Sequence, residues 1–274
     1  MKIIDHSVSG EEFTLVYDPD YDMYITQPQP EAQHLDRYYE SEEYISHTDA
    51  KNTLFEKVYG YVKKRMLHKK LRLISKFNTS SKSLLDIGAG TGDFLKIARQ
   101  HNWEIRGIEP NERARHLAQT KQVFLHTDYS TFGDQSFDVI TMWHVLEHVP
   151  SISDQFEKFQ QYGKPGGCVI IAVPNYKAYD ARVYKNFWAA YDVPRHFWHF
   201  SKATIQKLAR DHNMEFVTYK PLWFDSYYIS MLSEKYKNGR IRMLSAFWNG
   251  TLSNIKGMIN GEYSSQIYIL RIKE

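Results

Sequence analysis

The clearest candidate binding element is a glycine-rich loop that joins a short apolar run, residues 84–87, to a predicted helix. Gly88, Gly90 and Gly92 stand at alternate positions of this loop. Such glycines allow a tight turn at the carboxyl end of a strand and let a ligand approach the bare main chain. A dinucleotide fingerprint would have a further glycine where this chain has Asp93. Because this carboxylate would repel a phosphate at the helix N-terminus, the loop favours a positively charged nucleoside without phosphates.

An acidic residue ends the next predicted strand, residues 104–108. Glu109 lies 19 residues after Gly90. A carboxylate with this spacing stands at the tip of the neighbouring strand, where it can accept hydrogen bonds from both hydroxyls of a ribose. A lone acidic residue before a turn would otherwise indicate a favourable charge at a helix N-terminus. The glycine loop upstream favours the ribose role.

Histidine is the natural candidate for proton transfer, because its pKa lies close to neutrality. Among the 12 histidines, His144 and His148 follow a predicted strand, residues 137–143, and His196 lies in an aromatic segment. We take His148 and His196 as candidate catalytic bases. The alternative for Glu147 and His148 is that they orient the adjoining loop. The pair could also ligate a metal, but adjacent residues alone are a weak signal, so we predict no metal site.

Alternating strands and helices are needed to position these residues. Short apolar runs predict strands over 83–87, 104–108, 123–125, 137–143, 168–173, 215–219 and 266–272. Helices are predicted over 93–100, after Asn111, over 154–162 and from Ser201 to Asp211. The alternation implies right-handed crossover units and a parallel sheet, with seven strands in all.

Four segments in this region carry a family resemblance. DIGAGTGDFL, GIEPN, FDVITMWHVLEHVP and GKPGGCVIIAVPN follow one another along the chain. Together they resemble the successive motifs of class I S-adenosylmethionine-dependent methyltransferases, in the branch that resembles small-molecule O-methyltransferases. The similarity is close over residues 83–175 and looser towards the C-terminus. It implies an α/β fold, a Rossmann-like seven-stranded sheet of order 3-2-1-4-5-7-6 with the last strand antiparallel and helices on its flanks.

The resemblance also implies a cofactor, S-adenosylmethionine, and its product, S-adenosylhomocysteine. The cofactor residues that it implies are Asp86, Gly88, Gly90, Gly92, Glu109, Asp128, Trp143 and His144. In this assignment Glu109 holds the ribose and Asp128 faces the adenine amino group. Trp143 lies beside the methionine part, where its ring could contact the sulfonium with about 0.5–2 kcal/mol of cation–π energy.

Aromatic residues are concentrated outside the cofactor region. The chain contains 20 Tyr, 15 Phe and 6 Trp, and nine of these rings fall in the insertion 175–200. We predict that this insertion is a lid over the methyl acceptor. It also holds Asp192, Arg195 and His196, for which a buried ion pair that fixes the lid is the alternative to direct catalysis. A second insertion, 220–265, could complete the acceptor pocket, form a homodimer contact or touch a lipid carrier.

The N-terminal residues 1–50 are predicted to form a cap, with a hairpin between 13–17 and 23–26, ahead of a methyltransferase domain over 51–274. Related sequences often begin with a cysteine knuckle, which is absent here, so we predict no zinc. Tyr38 and Tyr39 either close over the cofactor or pack in the cap.

An amphipathic helix is predicted over 51–77, and we interpret its basic face as a solvated surface rather than a site for membranes or nucleic acid.

Composition excludes several other classes of protein. The 35 Lys and Arg against 32 Asp and Glu leave a formal charge of +3, too little to indicate nucleic-acid binding. The single cysteine, Cys168, excludes an intrachain disulfide framework, and its apolar surroundings predict a buried, inert thiol. The N-terminus lacks the apolar stretch of a signal peptide, and no apolar run approaches a membrane span, so we expect a cytoplasmic protein.

The sequence therefore predicts an enzyme that transfers a methyl group to a small or lipid-linked acceptor, at oxygen, with an apolar or ring-shaped acceptor favoured. The reaction is a one-step displacement that needs no covalent nucleophile. A catalytically silent module that binds the same cofactor as a sensor or scaffold is the main alternative. A nicotinamide oxidoreductase is a third.

Overall fold

The computed structural model describes residues 1–31, 34–38, 54–77 and 81–273. Tyr39 and the first residues of the predicted 51–77 helix lie outside the described residues. The chain opens with three antiparallel strands, β1 (Lys2–Ile4), β2 (Glu12–Asp18) and β3 (Met23–Gln27). The pairing of β2 with β3 confirms the predicted hairpin. The predicted amphipathic helix follows as α1 (Leu54–Ile74).

The elements of the central layer alternate as the sequence predicts. In chain order they are β4 (Ser83–Ile87), α2 (Asp93–Gln100), β5 (Glu104–Ile108), α3 (Glu112–Thr120), β6 (Phe137–Trp143), α4 (Ile152–Tyr162) and β7 (Gly163–Pro174). Local chemistry fixes the helix starts, because the Asn111 side chain caps α3 and the Ser151 side chain caps α4. β7 begins before residue 168, where the predicted strand starts. Gly166, at φ +73°, lies in the irregular first part of β7.

The remaining elements build the 175–200 insertion, the end of the sheet and the second insertion. We call the 175–200 insertion the lid, and its role over the acceptor stays a prediction. These elements are α5 (Tyr179–Tyr184), β8 (Trp198–His199), α6 (Lys202–Asp211), β9 (Met214–Pro221), α7 (Asp225–Asn238), α8 (Met243–Asn260) and β10 (Ser265–Ile272). As predicted, Ser201 caps α6. The described insertion 220–265 is largely helical, and no helix among the described residues is both long and apolar enough to cross a membrane.

The central sheet has the expected order except for one strand. Six described strands follow one another as β5-β4-β6-β7-β10-β9. The first four are parallel, whereas β10 runs antiparallel to both β7 and β9. This is the order 2-1-4-5-7-6, with the last strand antiparallel. The predicted α/β Rossmann-like class is therefore confirmed.

The predicted strand over 123–125 is wrong. This segment meets β5 only through an isolated parallel bridge between Ile108 and His126. Two main-chain hydrogen bonds form it, from Glu109 to His126 and from His126 to Gly107, each 2.9 Å long. Val123 is buried but the next residue, Phe124, is 72% exposed. The buried Val123 side chain and the two hydrogen bonds hold the segment beside β5. The main-chain pairing does not continue into a ladder, so the segment is not a strand.

Each strand of the sheet packs alternate residues against opposite helical layers. In β7, Val169 and Ile171 face a cluster that includes α4 and α6, whereas Cys168 and Ile170 face a cluster that includes α1 and α2. A run of apolar residues that is buried on both faces is typical of parallel strands. Cys168 is buried, as predicted, and burial raises the pKa of its thiol to about 12.

The lid and the N-terminal strands form a second sheet, of order β1-β2-β3-β8. β8 belongs to the 175–200 insertion and pairs antiparallel with β3. A third apolar cluster joins the two segments, and the described ring of Tyr38 is buried within it. Tyr38 therefore packs in the cap. The cap and the lid form one layer, whereas the division of the chain at residue 50 stays a prediction.

Candidate functional site

The glycine loop turns sharply after β4, and each of its three glycines needs a conformation that other residues rarely adopt. Gly88, Gly90 and Gly92 have φ angles of +70°, +54° and +72°. A Cβ on Gly88 would lie 2.3 Å from a methyl carbon of Val145, so close packing also requires this glycine. A Cβ on Gly90 would have no described atom within 4 Å. Gly90 therefore presents bare main chain to open space.

The structure brings Glu109 to this loop. Its Oε2 accepts a hydrogen bond from the Gly90 amide over 2.8 Å, and its Oε1 accepts one from the Asn111 amide over 2.9 Å. Each carboxylate oxygen has two lone pairs, so one remains on each for another donor. The sequence-predicted pair thus lies at the carboxyl edge of β4 and β5, with its carboxylate oriented by main-chain donors.

Asp86 lies beneath the loop and is buried. Its Oδ1 accepts a hydrogen bond from the Thr141 hydroxyl of β6 over 2.5 Å. Burial raises the pKa of Asp86 to about 7, against the opposing effects of Thr141 and of the Lys70 charge, while the Glu109 charge raises it further. The carboxyl group is therefore poised between its neutral and ionised forms.

Trp143 ends β6 beside Lys70, which belongs to the basic residues of α1 that we interpreted as a solvated surface. The Lys70 ammonium lies 4.3 Å from the centre of the Trp143 ring. Burial lowers the pKa of Lys70 to about 8. Helical spacing could have indicated that Lys70 is buried, because Lys70 stands four residues from both Met66 and Ile74 on the apolar side of the helix. The indole Nε1 of Trp143 is buried and has no hydrogen-bond partner among the described residues.

His144 links β6 to the second insertion. It has a φ angle of +57°, and its Nε2 lies 3.1 Å from Oδ2 of Asp225, the first residue of α7. Its Nδ1 lies 3.5 Å from Oε1 of Glu147. Burial alone would lower the pKa of His144, but these two carboxylates raise it to about 10. Sequence reasoning missed Asp225, because nothing local shows that the insertion returns to the sheet edge.

Asp128 stands two residues after His126, whose carbonyl accepts a hydrogen bond from the Glu109 amide. It is exposed in the loop after the His126 bridge, where its Oδ1 accepts a hydrogen bond from the Ser130 amide over 2.8 Å. This contact, with the Ser130 hydroxyl, lowers the pKa of Asp128. Among the described residues, no hydrogen bond joins Asp128 to the glycine loop or to Glu109.

The two candidate bases meet at Glu147. The rings of His148 and His196 are 4.6 Å apart, edge to face. One possible ligand atom from each of Glu147, His148 and His196 lies within 4.8 Å of the other two. The Nδ1 of His148 bonds to the Arg195 carbonyl, and the Nδ1 of His196 bonds to the Ala190 carbonyl, each over 2.9 Å. The structure therefore assembles residues from two separate segments.

The charges of this cluster follow from its burial. Glu147 is 1% exposed, and burial alone would raise its pKa, but the surrounding imidazoles lower it. Burial and the neighbouring His148 lower the pKa of His196 to about 4. The His196 ring is therefore neutral at neutral pH, beside an ionised carboxylate.

An ion-pair network fixes this part of the lid to the N-terminal strands. The buried Arg195 guanidinium donates to Asp192 over 2.6 Å, to Asp5 over 3.1 Å and to the Tyr38 carbonyl over 2.8 Å. Burial alone would raise the pKa of Asp5, but donors from Ser9 and Arg195 lower it to about 2. Asp192 and Arg195 thus form a buried ion pair. This is the structural role that we gave above as the alternative to direct catalysis.

This sheet order, with a glycine loop after the first strand and an acidic residue after the second, defines a class I S-adenosylmethionine-dependent methyltransferase. The family described as "Methyltransferase domain" matches residues 59–219, more than half of the chain. The chain belongs to this methyltransferase family and uses S-adenosylmethionine as its cofactor.

Curated relatives agree with this class. The chain is 27% identical over 164 residues to a ubiquinone biosynthesis O-methyltransferase of Azoarcus sp. (strain BH72), which covers 52% of this chain and 70% of that protein. The identity is 26% over 164 residues to the Thiobacillus denitrificans protein of the same description, with coverage of 52% and 71%.

A solved structure supports the fold. It is an S-adenosylmethionine-dependent methyltransferase of Thermotoga maritima, described as a possible histamine N-methyltransferase. The TM-score is 0.52 at 19% identity, over 79% of this chain and 96% of that one. At this identity the similarity concerns the fold alone.

Proposed function

We propose that the cofactor binds at the carboxyl edge of β4, β5 and β6. The proposed cofactor residues are Asp86, Gly88, Gly90, Gly92, Glu109, Asp128, Trp143 and His144. The observation that carries this proposal is the 2.8 Å hydrogen bond between the Gly90 amide and the Glu109 carboxylate. It brings the two separately predicted elements together, at the edge of a parallel sheet where ligands bind in this architecture.

Three features of the residues fit S-adenosylmethionine. Glu109 keeps acceptor capacity for ribose hydroxyls. Gly90 leaves open space above the main chain. The buried Nε1 of Trp143, without a partner among the described residues, is a donor that a ligand could satisfy. We also add Lys70 to the expected surroundings of the methionine part, because its ammonium lies against the Trp143 ring.

We propose transfer to an oxygen atom of the acceptor. The bound cofactor supplies a methyl group on a positively charged sulfur, and the chain must hold the acceptor oxygen in line with it. Such positioning can contribute about 7–11 kcal/mol. His148 and His196 are the candidate groups to receive the acceptor proton. The neutral His196 ring can accept a proton, but its lowered pKa of about 4 makes it a weak base at neutral pH. The description of the two curated relatives as O-methyltransferases supports oxygen as the acceptor atom.

We propose an apolar or ring-shaped, lipid-linked acceptor, because the second insertion carries an exposed apolar face. In α8, the buried side consists of small or polar residues: Ala246, Gly250, Ser253, Asn254 and Gly257. The large apolar residues lie on the outer side: Leu244, Phe247, Trp248, Ile255, Met258 and Ile259, which are 41–89% exposed. A helix packed by its small residues, with its large ones outward, is typical of an interaction surface.

The charges beside this face favour an anionic membrane surface over a second copy of the chain. Lys237, Arg240 and Arg242 are exposed just before the apolar residues of α8. Basic residues beside an apolar helical face are typical of helices that lie in a membrane interface. In a homodimer with the two α8 helices packed parallel, the same cations would face one another across the contact. A cytoplasmic location, with access to the membrane surface, stays a prediction.

Titration calorimetry with S-adenosylhomocysteine tests the cofactor site. We expect binding to the unaltered chain and a loss of roughly tenfold or more in Glu109→Ala, because the ribose would lose its acceptor. Glu112→Ala is the matched control, since Glu112 is exposed at the start of α3. No binding, or equal binding in both variants, would remove this site.

Transfer of a labelled methyl group to phenolic acceptors, with and without an isoprenoid tail, tests the reaction. Transfer that is faster to the tailed acceptor would support the lipid-linked class. Cofactor binding with no transfer to either acceptor or to a metabolite extract would favour the silent binding module. Thermal protection by NAD but not by S-adenosylhomocysteine would favour an oxidoreductase.

A further inference from the structure

The cluster of Glu147, His148 and His196 has the composition of a metal site. Glu147 and His148 lie in the short turn after β6, and His196 comes from the lid. Ligand atoms from the three residues lie within 4.8 Å of one another, and Nε2 of His196 is 3.9 Å from Oε1 of Glu147. Two imidazole nitrogens and one carboxylate are a common donor set for divalent transition metals.

The Glu147 carboxylate is the observation that points to a ligand. It is 1% exposed, and neither oxygen has a hydrogen-bond partner among the described residues. Imidazole nitrogens of His144 and His196 lie 3.5 and 3.9 Å from Oε1. The charge of His144 offsets part of the cost of burying this carboxylate. A cation bound between Glu147 and the two candidate histidines would in addition give its oxygens direct ligation.

Main-chain carbonyls orient both imidazoles towards ligation. The Nδ1 of His148 bonds to the Arg195 carbonyl, and the Nδ1 of His196 bonds to the Ala190 carbonyl. Because a carbonyl can only accept a hydrogen bond, Nδ1 carries the proton in each ring. In the neutral ring the lone pair is then on Nε2. Metal-binding histidines typically donate their other ring N–H to a carbonyl or carboxylate in this way.

We propose that Glu147, His148 and His196 bind a divalent transition-metal cation at the acceptor side of the cofactor site. Ligands of a tetrahedral zinc site are about 3.4 Å apart, so separations of 3.9 Å and of up to 4.8 Å require closures of about 0.5 to 1.4 Å. Three protein ligands leave a coordination position open. This departs from our sequence-based expectation of no metal, which did not include His196 in the set.

The role of the cation rests on the proposed function. An acceptor hydroxyl that binds at the open position would release its proton to water more readily, since a metal lowers the pKa of a bound hydroxyl. The two imidazoles would then act as ligands rather than as direct proton acceptors.

Cobalt binding tests the proposal without any measurement of methyl transfer. The chain is treated with a chelator, dialysed and titrated with Co²⁺, while visible absorption and metal content are recorded. We expect one Co²⁺ per chain, with absorption bands of low-coordinate cobalt. Affinity should fall by roughly tenfold or more in Glu147→Gln and in His196→Gln. His116→Gln, in the exposed part of α3, is the control and should bind as the unaltered chain does.

The unaltered chain alone keeps the test decisive if a variant fails to fold. Absence of a stoichiometric cobalt complex in the unaltered chain would overturn the proposal, as would equal binding in folded Glu147→Gln and His196→Gln. Equal loss in His116→Gln would also overturn it. Calorimetry with S-adenosylhomocysteine on the same samples separates this outcome from a failure of the cofactor site.

Discussion

The main-chain amide of Gly90 donates a hydrogen bond to Oε2 of Glu109 over 2.8 Å. The glycine loop and the acidic residue of the next strand are therefore held together by the chain itself. Because the Asn111 amide holds the other carboxylate oxygen, the ribose-binding role proposed for Glu109 would need little reorientation of its side chain. Such preorganisation favours affinity.

Alanine substitutions separate the packing role of the loop from its binding role. Gly88→Ala should destabilise the fold by several kcal/mol, because its Cβ would clash with Val145 at a φ angle of +70°. Gly90→Ala should cost only about 1–2 kcal/mol, since its strain is conformational. It should nevertheless weaken S-adenosylhomocysteine binding. Urea unfolding and calorimetry on both variants check this, and equal destabilisation would contradict it.

The second prediction concerns the stability of the ligand-free chain between pH 4 and pH 7. Folded Asp86 keeps its proton up to about pH 7, whereas an unfolded aspartate releases it near pH 4. Since the folded pKa is the higher one, unfolding releases a proton in this window, and stability falls as the pH rises. The groups that face Asp86 are the Thr141 hydroxyl and the charges of Lys70 and Glu109.

Asp86→Asn should remove this pH dependence. An asparagine keeps an oxygen that can accept the Thr141 hydrogen bond. We expect the variant to gain on the order of 2–4 kcal/mol relative to the unaltered chain as the pH rises from 4 to 8. Urea unfolding of both proteins at several pH values measures the difference. Parallel profiles of the two proteins would contradict the prediction.

The third prediction concerns the Arg195 network, which joins the lid to the N-terminal strands. Arg195→Met should destabilise the chain by about 3–5 kcal/mol, because Asp5 and Asp192 would lose the cation between them. Arg271→Met is the control, since Arg271 pairs with Glu215 at the surface. It should change stability by no more than about 1 kcal/mol. Similar unfolding midpoints for the two variants would show that the lid does not depend on Arg195.

The sequence predicted the elements that local chemistry determines. The limits of α2 follow from the glycines before it and its apolar period, and Ser201 marks the start of α6 because its side chain bonds to the Thr204 amide. Glu109 could be placed beside the loop because the carboxyl ends of adjacent parallel strands share one edge. These predictions needed no knowledge of distant contacts.

The contacts of the candidate site that the sequence did not predict depend on how remote segments of the chain return to the sheet. Helical spacing puts Lys70 on the apolar side of α1, but only the packing of this helix shows that it reaches Trp143. Asp225 reaches His144 because the second insertion folds back over β6. His196 meets Glu147 because the lid crosses the same edge. Such contacts lie between residues far apart in sequence, so no local period or spacing indicates them.

The last prediction concerns the exposed face of α8. The pair of substitutions Leu244→Ser and Trp248→Ser should weaken binding to anionic lipid vesicles by roughly tenfold or more, because both side chains would enter the interface. Binding should also weaken as salt is added, since the cations at Lys237, Arg240 and Arg242 contribute. Co-sedimentation with vesicles that contain anionic lipid, compared with neutral ones, measures this.

Phe124→Ser is the matched control, because the Phe124 ring is 72% exposed but lies far along the chain from α8. It should leave vesicle binding unchanged. Equal binding by the α8 variant and the unaltered chain would contradict a membrane role for this face. Sedimentation velocity decides the alternative: a dimer that forms with concentration and is lost in the α8 variant would make this face a contact between two copies. A lipid-linked acceptor would then lose its main structural support, because the apolar side chains would be covered by the partner.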